Sequence, residues 1–449
     1  MVNALILAAG EGTRMKSKRP KVLHTLYGKA LIEWSLDSVA QLCGKPMVVV
    51  GHGADAVKRY LGDRAHYVLQ SERKGTGHAV MMAKEYLQAC GGYVVVLAGD
   101  VPLIRKETIA ALIESAKGSA ASILTVMMQD PAGYGRILRD ESGAVCGIIE
   151  EKDANEAEKK ICEINSGIYC LKTEALLWAL DRLENSNAQG EYYLTDCIGL
   201  LSADARKVHT YTVQHAEEAM GVNDRFQLAL AGEVLRRRIN RRHCENGVGI
   251  QDVNTAYIDD GVTIGADTLI QPNVTIKGDT KIGCDCVIGT GSVIEDCIIG
   301  DGVAIRSSEL EQSVVGDGVK IGPFAHLRPN SDIGAHCKLG NFVEIKNSRL
   351  GEDSKVSHLT YVGDSDVGRG VNIGCGVVFV NYDGCQKARS VVKDNAFIGC
   401  NTNLVSPVTV GEGAYIAAGS TITEDVPNAA LAIARARQIN KPGWKKVKD

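Results

Sequence analysis

The second half of the chain carries aliphatic residues six apart: Ile258, Ile264, Ile270, Ile276, Ile282, Ile288 and Ile294 share one register. After a short interruption Val315, Ile321, Leu327, Ile333, Leu339 and Ile345 resume it, and Ile398, Leu404, Val410, Ile416 and Ile422 make a third run. Between them stand Gly, Asp, Asn and small residues, as in Ile264-Gly-Ala-Asp-Thr-Leu269. A period of six matches neither a helix nor an alternating strand. Runs of this length predict a parallel β-helix, with one aliphatic per short strand pointing into a prism. The Gly, Asp and Asn residues supply corner conformations that other side chains resist. Three strands make a coil, and each coil buries the next.

The first half has a different pattern. Apolar runs at Val2 to Ala9, Pro46 to Val50 and Tyr93 to Ala98 read as buried strands. They alternate with polar loops and helical stretches, as where the loop from Gln70 runs into a helix near Ala79. This is the order of an α/β sheet. Between the halves, Leu228, Ala231, Leu235 and Ile239 form an apolar stripe at helical spacing. The expected division is residues 1–223, a linker helix over 224–243, and residues 244–449.

Composition narrows the function. A chain of 449 residues suits two domains. Its net charge of −4 gives no global attraction to nucleic acid. Arg236, Arg237, Arg238, Arg241 and Arg242 crowd one helix end, where the dipole and solvent account for them without a nucleic-acid partner. The 14 cysteines form no CxxC framework and point to reduced thiols in the cytoplasm. Cys284 and Cys286, consecutive corner and strand positions of one coil, are not expected to bind metal. The apolar start Ala4 to Ala9 is too short to span a membrane, and no membrane partner is expected.

The candidate chemistry begins where the first strand meets Gly10-Glu-Gly-Thr-Arg-Met15, a loop whose bare N–H groups suit phosphate oxygens. It is neither of two commoner motifs. The dinucleotide fingerprint needs glycine where Met15 stands, and the P-loop needs Gly-Lys-Ser/Thr, which is absent. Tyr93 to Ala98 delivers Gly99-Asp100 at its C-terminal end, the sheet edge where ligands bind. Asp100 there is either a turn former or a Mg²⁺ ligand.

The string LAAGEGTRM followed by Pro20-Lys21 resembles the signature of sugar-1-phosphate nucleotidyltransferases. Gly133-Tyr-Gly-Arg136, the segment around Glu150, Asn165-Ser-Gly167 and Gly221-Val-Asn223 are similar to further parts of that family. The resemblance implies that Leu7, Ala8, Ala9, Gly10, Gly12 and Thr13 cradle UTP, with Arg14 and Lys21 as fixed positive charge beside the attacked α-phosphorus. It implies that Gln70, Gly75 and Thr76 read uracil, and that Gly135, Glu150 and Asn165 hold an N-acetylated sugar. Asp100 and Asn223 become the Mg²⁺ contacts. Two positions depart from the pattern: Ala98 where relatives often have an aromatic, and Arg73 where they often have Gln.

In the second half, Leu327-Arg328-Pro, Glu344-Ile-Lys346, Ser357-His-Leu-Thr-Tyr361 and Asn381-Tyr-Asp-Gly384 resemble the family of bifunctional N-acetylglucosamine-1-phosphate uridyltransferase/glucosamine-1-phosphate acetyltransferases, and the resemblance spans essentially the whole chain. It implies an α/β nucleotidyltransferase (Rossmann-like) domain followed by an all-β left-handed parallel β-helix of hexapeptide repeats, usually trimeric. His358 becomes the general base for an amine attacking acetyl-CoA, since imidazole titrates near working pH. Arg328 and Lys346 meet a sugar phosphate, with Tyr361, Asn372 and Lys387 adding contacts. Asn381 and Tyr382 lie where sugar meets thioester, and Cys400, Ala418 and Arg435 fall at coenzyme A. Cys400 stands where Ser is usual, and direct transfer needs no cysteine nucleophile. The basic tail, with Arg435, Arg437, Lys445 and Lys446, is expected to cap the last coil and meet coenzyme A phosphates. The whole implies acetylation of glucosamine-1-phosphate, then uridyl transfer from UTP, in a homotrimer. A single-function nucleotidyltransferase with a regulatory β-helix leaves His358 and Lys346 without a task. A non-catalytic scaffold leaves Lys21, Asp100 and Asn223 without one.

Overall fold

The computed structural model describes residues 1–444, and its contacts divide the chain into two units, Met1–Leu235 and Arg236–Asp449.

In the first unit the central strand β1 (Val2–Ala8) lies in a mixed sheet with β2 (Met47–Val50), β3 (His66–Leu69), β4 (Tyr93–Ala98), β5 (Ala121–Met127), β6 (Arg136–Arg139), β7 (Val145–Ile149), β8 (Glu163–Lys172) and β9 (Val208–Thr212). The main order is β9-β5-β8-β4-β1-β2-β3, and β6 and β7 form a hairpin that pairs with β8. Strand β8 runs antiparallel to β4 and β5, while β1 is parallel to β2 and β4. Alternation along β1 divides its residues between two cores: Ala4, Ile6 and Ala8 join Val48, Val50 and Leu97, while Leu5 joins Val49, Val94 and Val96. Each fully buried Val, Leu or Ile contributes about 1.5–3 kcal/mol, so covering both faces fixes the register. The parallel strands β1 and β4 then end together, at Ala8 and Ala98, and open the sheet edge that holds the site.

The joining helix runs Arg225–Glu245, and the division between the units falls within it. Asp224 caps it by accepting the Gln227 N–H at 2.8 Å. Ala231 and Leu235 are buried with Leu31, Leu103 and Val222 in the first unit. Further along, in the second unit, Asn240 donates to the carbonyls of Val253 and Ala256 at 2.9 and 3.0 Å.

The second unit is built of short parallel strands stacked coil on coil, fitting the left-handed β-helix of hexapeptide proteins. All the aliphatics named above in the six-residue register are buried except Ile264, which is half-buried. The apparent interruption after Ile294 is not a gap in the prism. Ile299, Ile305 and Leu310 fill it, each pairing with Ile282, Ile288 or Ile294 one coil earlier. The inward step merely shortens to five residues from Ile294 to Ile299, from Ile305 to Leu310 and from Leu310 to Val315. Leu350, Val356, Val362, Val367, Ile373 and Phe379 carry the core onward in the same mixed steps. Among the described residues of the prism, one excursion leaves after Phe379 and returns at Val392, with Tyr382 bridging to Lys387 across it. At the end, Leu431–Ala432 pairs with Tyr415–Ile416, and Ala434 accepts the Thr421 N–H at 3.0 Å, so the tail covers the last coil's edge that far. Lys445 and Lys446 lie outside the described residues.

One histidine is expected to make this unit sensitive to acid. Burial pushes the His243 imidazole down to about 4; Arg242 adds to the effect and Asp260 opposes it. Its Nε2 is buried without a hydrogen-bond partner. The unfolded chain takes up this proton near the ordinary value of about 6.5, the folded chain only near 4. Its contribution to stability is therefore intact above pH ~6.5 and is lost as pH falls toward 4. Denaturation midpoints measured across that window should fall, and His243→Gln should remove that part of the decline; an unchanged slope would show that His243 is not linked to stability.

Candidate active sites

The first site is a cavity of about 390 Å³ over the ends of β1 and β4. Leu7, Ala8, Ala9, Gly10, Lys21, Gln70, Gly75, Thr76, Asp100, Glu150 and Asn165 line it, together with Ala98 and Arg73. Gly12, Thr13, Arg14, Gly135 and Asn223 are not part of that lining, and Arg14 is exposed. At its phosphate end the Lys21 ammonium is ion-paired to Asp100 and donates to the Asn223 amide oxygen at 3.2 Å. The Val222 N–H donates to the Asp100 carbonyl at 2.9 Å, which brings Asn223 beside Asp100. Gly12 has a left-handed φ of 67°, and a Cβ there would meet the Lys21 Cβ at 2.5 Å, so only glycine lets the loop close on the lysine.

At the base end the Gln70 amide donates to the Gly75 carbonyl at 3.2 Å, and Thr76 accepts the Leu194 N–H at 3.1 Å. At the sugar end burial pushes the Glu150 carboxyl above the usual carboxylate range; the Thr195 hydroxyl, 3.1 Å away, opposes this, and Asp196 and Asp153 reinforce it. The Asn165 amide donates to the Tyr169 hydroxyl at 2.7 Å and accepts the Gly167 N–H at 3.1 Å. Gly135 contributes backbone, its carbonyl accepting the Asn165 N–H at 2.8 Å. Thr195 and Tyr169 carry no local sequence signal, because only folding brings them against Glu150 and Asn165.

The second site lies on the β-helix. Arg328 donates to Glu344 at 2.9 Å, and Lys346 lies in the next coil of the same column. Lys387 beside Lys346 pulls that ammonium below the ordinary lysine range, with burial and Arg328 adding to the shift. A lysine crowded by neighbouring cations is suited to an incoming phosphate. Tyr361 lies over Gly363, where a Cβ would strike its hydroxyl. Asn381 is buried, bonded to Asp364 and 3.4 Å from the Tyr361 hydroxyl; Asp364 also accepts from Asn347. Asp364, which gathers these amides, had no signal in the sequence.

His358 pairs with Asn341 in the ladder. Its neighbour Leu359 is 61% exposed and holds a φ of 44°, a backbone that bulky residues seldom adopt. The register Ile373↔Ile398↔Ile416 stacks Cys375, Cys400 and Ala418 at one corner, directly following His358. Bonds from Gly376 to the Leu359 carbonyl, Asn401 to Cys375 and Gly419 to Cys400 join that column. Arg435 is exposed and reaches past Gly419. Cys375 carries no sequence signal, because nothing in its local string separates it from other corner residues. Asn372 is half-buried in the strand leading to it, and Tyr382 is exposed on the excursion.

Both halves have known relatives. Residues 4–180 match the family model described as a MobA-like NTP transferase domain, and residues 312–347 and 389–424 match the bacterial transferase hexapeptide (six repeats). The chain is 52% identical over 450 residues to the Bifunctional protein GlmU of Clostridioides difficile (strain 630), covering 99% of this chain and 98% of that protein. It is 52% identical to that of Geobacillus sp. (strain WCH70), over 98% and 97%, and 49% identical to that of Listeria monocytogenes serotype 4b (strain F2365), over 99% and 98%. The chain belongs to the GlmU family of bifunctional proteins. As a GlmU family member it is an enzyme of UDP-N-acetylglucosamine synthesis, with uridyltransferase and acetyltransferase activities. All 14 cysteines are free, and the described residues contain no group of three His, Cys, Asp or Glu side chains able to hold a metal. No helix among them is long and apolar enough to cross a membrane.

Proposed function

We propose that residues 1–223 carry uridyl transfer at the Lys21–Asp100 cavity, and residues 244–449 carry acetyl transfer at the His358 corner, with acetylation first. The observation that carries the reading is the convergence of Asp100 and Asn223, far apart in sequence, on one cation in a cavity large enough for a nucleotide. Their carboxylate and amide oxygens are the hard donors Mg²⁺ prefers, two protein ligands leaving room for phosphates and water. When bound, Mg²⁺ would neutralise phosphate charge. Lys21 and Arg14 hold the phosphate chain for in-line attack by the sugar phosphate, and pyrophosphate leaves. Gln70, Gly75 and Thr76 orient the base. Glu150, whose carboxyl burial pushes above the usual carboxylate range, faces the sugar, where Gly135 and Asn165 complete the contacts.

At the second site the sugar amine attacks the thioester carbonyl, the C–N bond forms as the C–S bond breaks, His358 takes the amine proton, and coenzyme A leaves as its thiol. Arg328, Lys346 and Lys387 hold the sugar phosphate, with Tyr361, Asn372, Asn381 and Tyr382 around the ring. Cys400, Ala418 and Arg435 run along the cofactor's path. Both steps belong in the cytoplasm.

The homotrimer belongs to the same proposal. Phe324 and Phe342 stack at 5.3 Å on successive coils and, with Leu359, expose apolar side chains at left-handed corners. A neighbouring prism would cover them. His358 and the Lys346 column stand on different corners of the coil, five positions apart in the ladder, with the left-handed Phe342 and Leu359 turning the chain between them. The amine and phosphate of glucosamine-1-phosphate sit on neighbouring ring carbons, and a site shared between chains would bring a His358 corner of one prism to a Lys346 corner of the next.

Supplied with acetyl-CoA, glucosamine-1-phosphate, UTP and Mg²⁺, the enzyme should release both free thiol and pyrophosphate. A chain ending after Leu235, which keeps the buried Ala231 and Leu235, should release pyrophosphate from preacetylated sugar and no thiol. Thiol release by that shortened chain would move the acetyl site and sink the division.

A further inference from the structure

Two cations line the first cavity, Lys21 and Arg73. Lys21 is committed to Asp100 and Asn223. Arg73 comes from the loop after β3, and its guanidinium is paired with Glu11 of the glycine-rich loop after β1. That contact crosses from the base-side loop to the phosphate-side loop at the rim of the cavity. Its two side chains are 53% and 45% exposed, and exposed pairs between flexible side chains are weakly held. Arg73 holds the Glu11 carboxyl below the usual carboxylate range, with His52 nearby making a smaller contribution of the same sign.

A triphosphate brings several negative charges to the same loop, and a guanidinium fork binds phosphate oxygens two at a time. Glu11 would then face those oxygens as a like charge. We propose that Arg73 is a ligand of the UTP phosphate chain, exchanging Glu11 for phosphate as the nucleotide enters, so that Glu11 competes with the substrate for one cation. This rests on the cavity being the UTP site. It gives Arg73 a task that an uncharged side chain such as glutamine cannot perform.

The two partners must then respond in opposite directions, which no purely structural strap would do. Arg73→Gln should raise KM for UTP by about tenfold, the scale of one charge-assisted contact, and flatten the salt dependence of kcat/KM. Glu11→Gln should lower KM for UTP about two- to fivefold, because the competitor is gone. An unshifted thermal unfolding transition of the first unit in each variant reports intact folding. If both variants raise KM alike, the pair is only a strut and the proposal falls. It also falls if Arg73→Gln leaves KM unchanged, or alters UTP-over-CTP preference while the salt slope stays, which would make Arg73 a base contact. Lys21→Ala, run alongside, separates the two levels: uridyl transfer unharmed by that change removes the cavity reading itself, whereas its loss beside an unaltered Arg73→Gln removes the exchange alone.

Discussion

Asp100→Ala lowers uridyl transfer by roughly 10²–10³-fold or more, the loss expected when several kcal/mol of charge stabilisation leave a phosphoryl-transfer site. The cause lies in the sheet. Strands β1 and β4 are parallel and end together, so Asp100 emerges beside the glycine-rich loop, and its ion pair shows where a cation sits. Removing the carboxylate does two things at once. It takes away the charged half of the Asp100–Asn223 oxygen pair, and it releases Lys21, which keeps only its bond to Asn223. The two losses share a partner and will not add. Asp100→Asn keeps the shape and removes the charge, so it should retain more activity than alanine only if shape matters. Raising Mg²⁺ should recover some of the rate in either variant. Acetyl transfer should continue in both. Uridyl transfer within a few-fold of the parent would make Asp100 a turn residue and remove the metal assignment.

The α/β strands are readable in the sequence because continuous apolar runs ending in Gly-rich turns leave few alternatives. Strand β4 has the bounds its apolar run gives, and β1 ends one residue earlier than expected. The prism is readable from its period, yet six-residue counting loses register at every five-residue step. The inward residues Ile299, Leu310, Leu350 and Val367 therefore look like a break. What fixes them is pairing with the coil before, a long-range constraint that no local period carries.

The candidate sites are legible as strings and less so as geometry. Lys21, Asp100 and Asn223 stand in three separate motifs, and only the fold brings them together. Arg73 reads in sequence only as a departure from the family pattern, and the ion pair to Glu11 gives it a physical neighbour. The acetyl-transfer residues are spread so widely along the chain that their strings alone do not bring them together on one prism. A single prism nevertheless gathers some: His358, Cys375, Cys400 and Ala418 stack on one corner because successive coils repeat the same position. The phosphate cations stand on another corner, and that separation carries the remaining case for a neighbouring chain.

His358→Ala lowers acetyl transfer by roughly 10²–10⁴-fold, the usual contribution of a positioned general base, and leaves uridyl transfer from preacetylated sugar intact. Among the described residues none hydrogen-bonds its exposed imidazole. A base needs a fixed orientation, so bound substrate or a second chain must supply the missing neighbour. This makes the assembly testable through the same residue. Lys346→Ala removes a phosphate cation from the other corner and should also leave little acetyl transfer. Full-length chains carrying His358→Ala and Lys346→Ala, dissociated together and reassociated, should regain a measurable fraction of activity, because some sites then draw His358 from one chain and Lys346 from its neighbour. Each variant treated alone should stay nearly inactive. Light scattering that finds a monomer acetylating at the full rate would end the trimer proposal. Mixed chains that never recover would end the shared site, leaving His358 to act with the cations of its own chain.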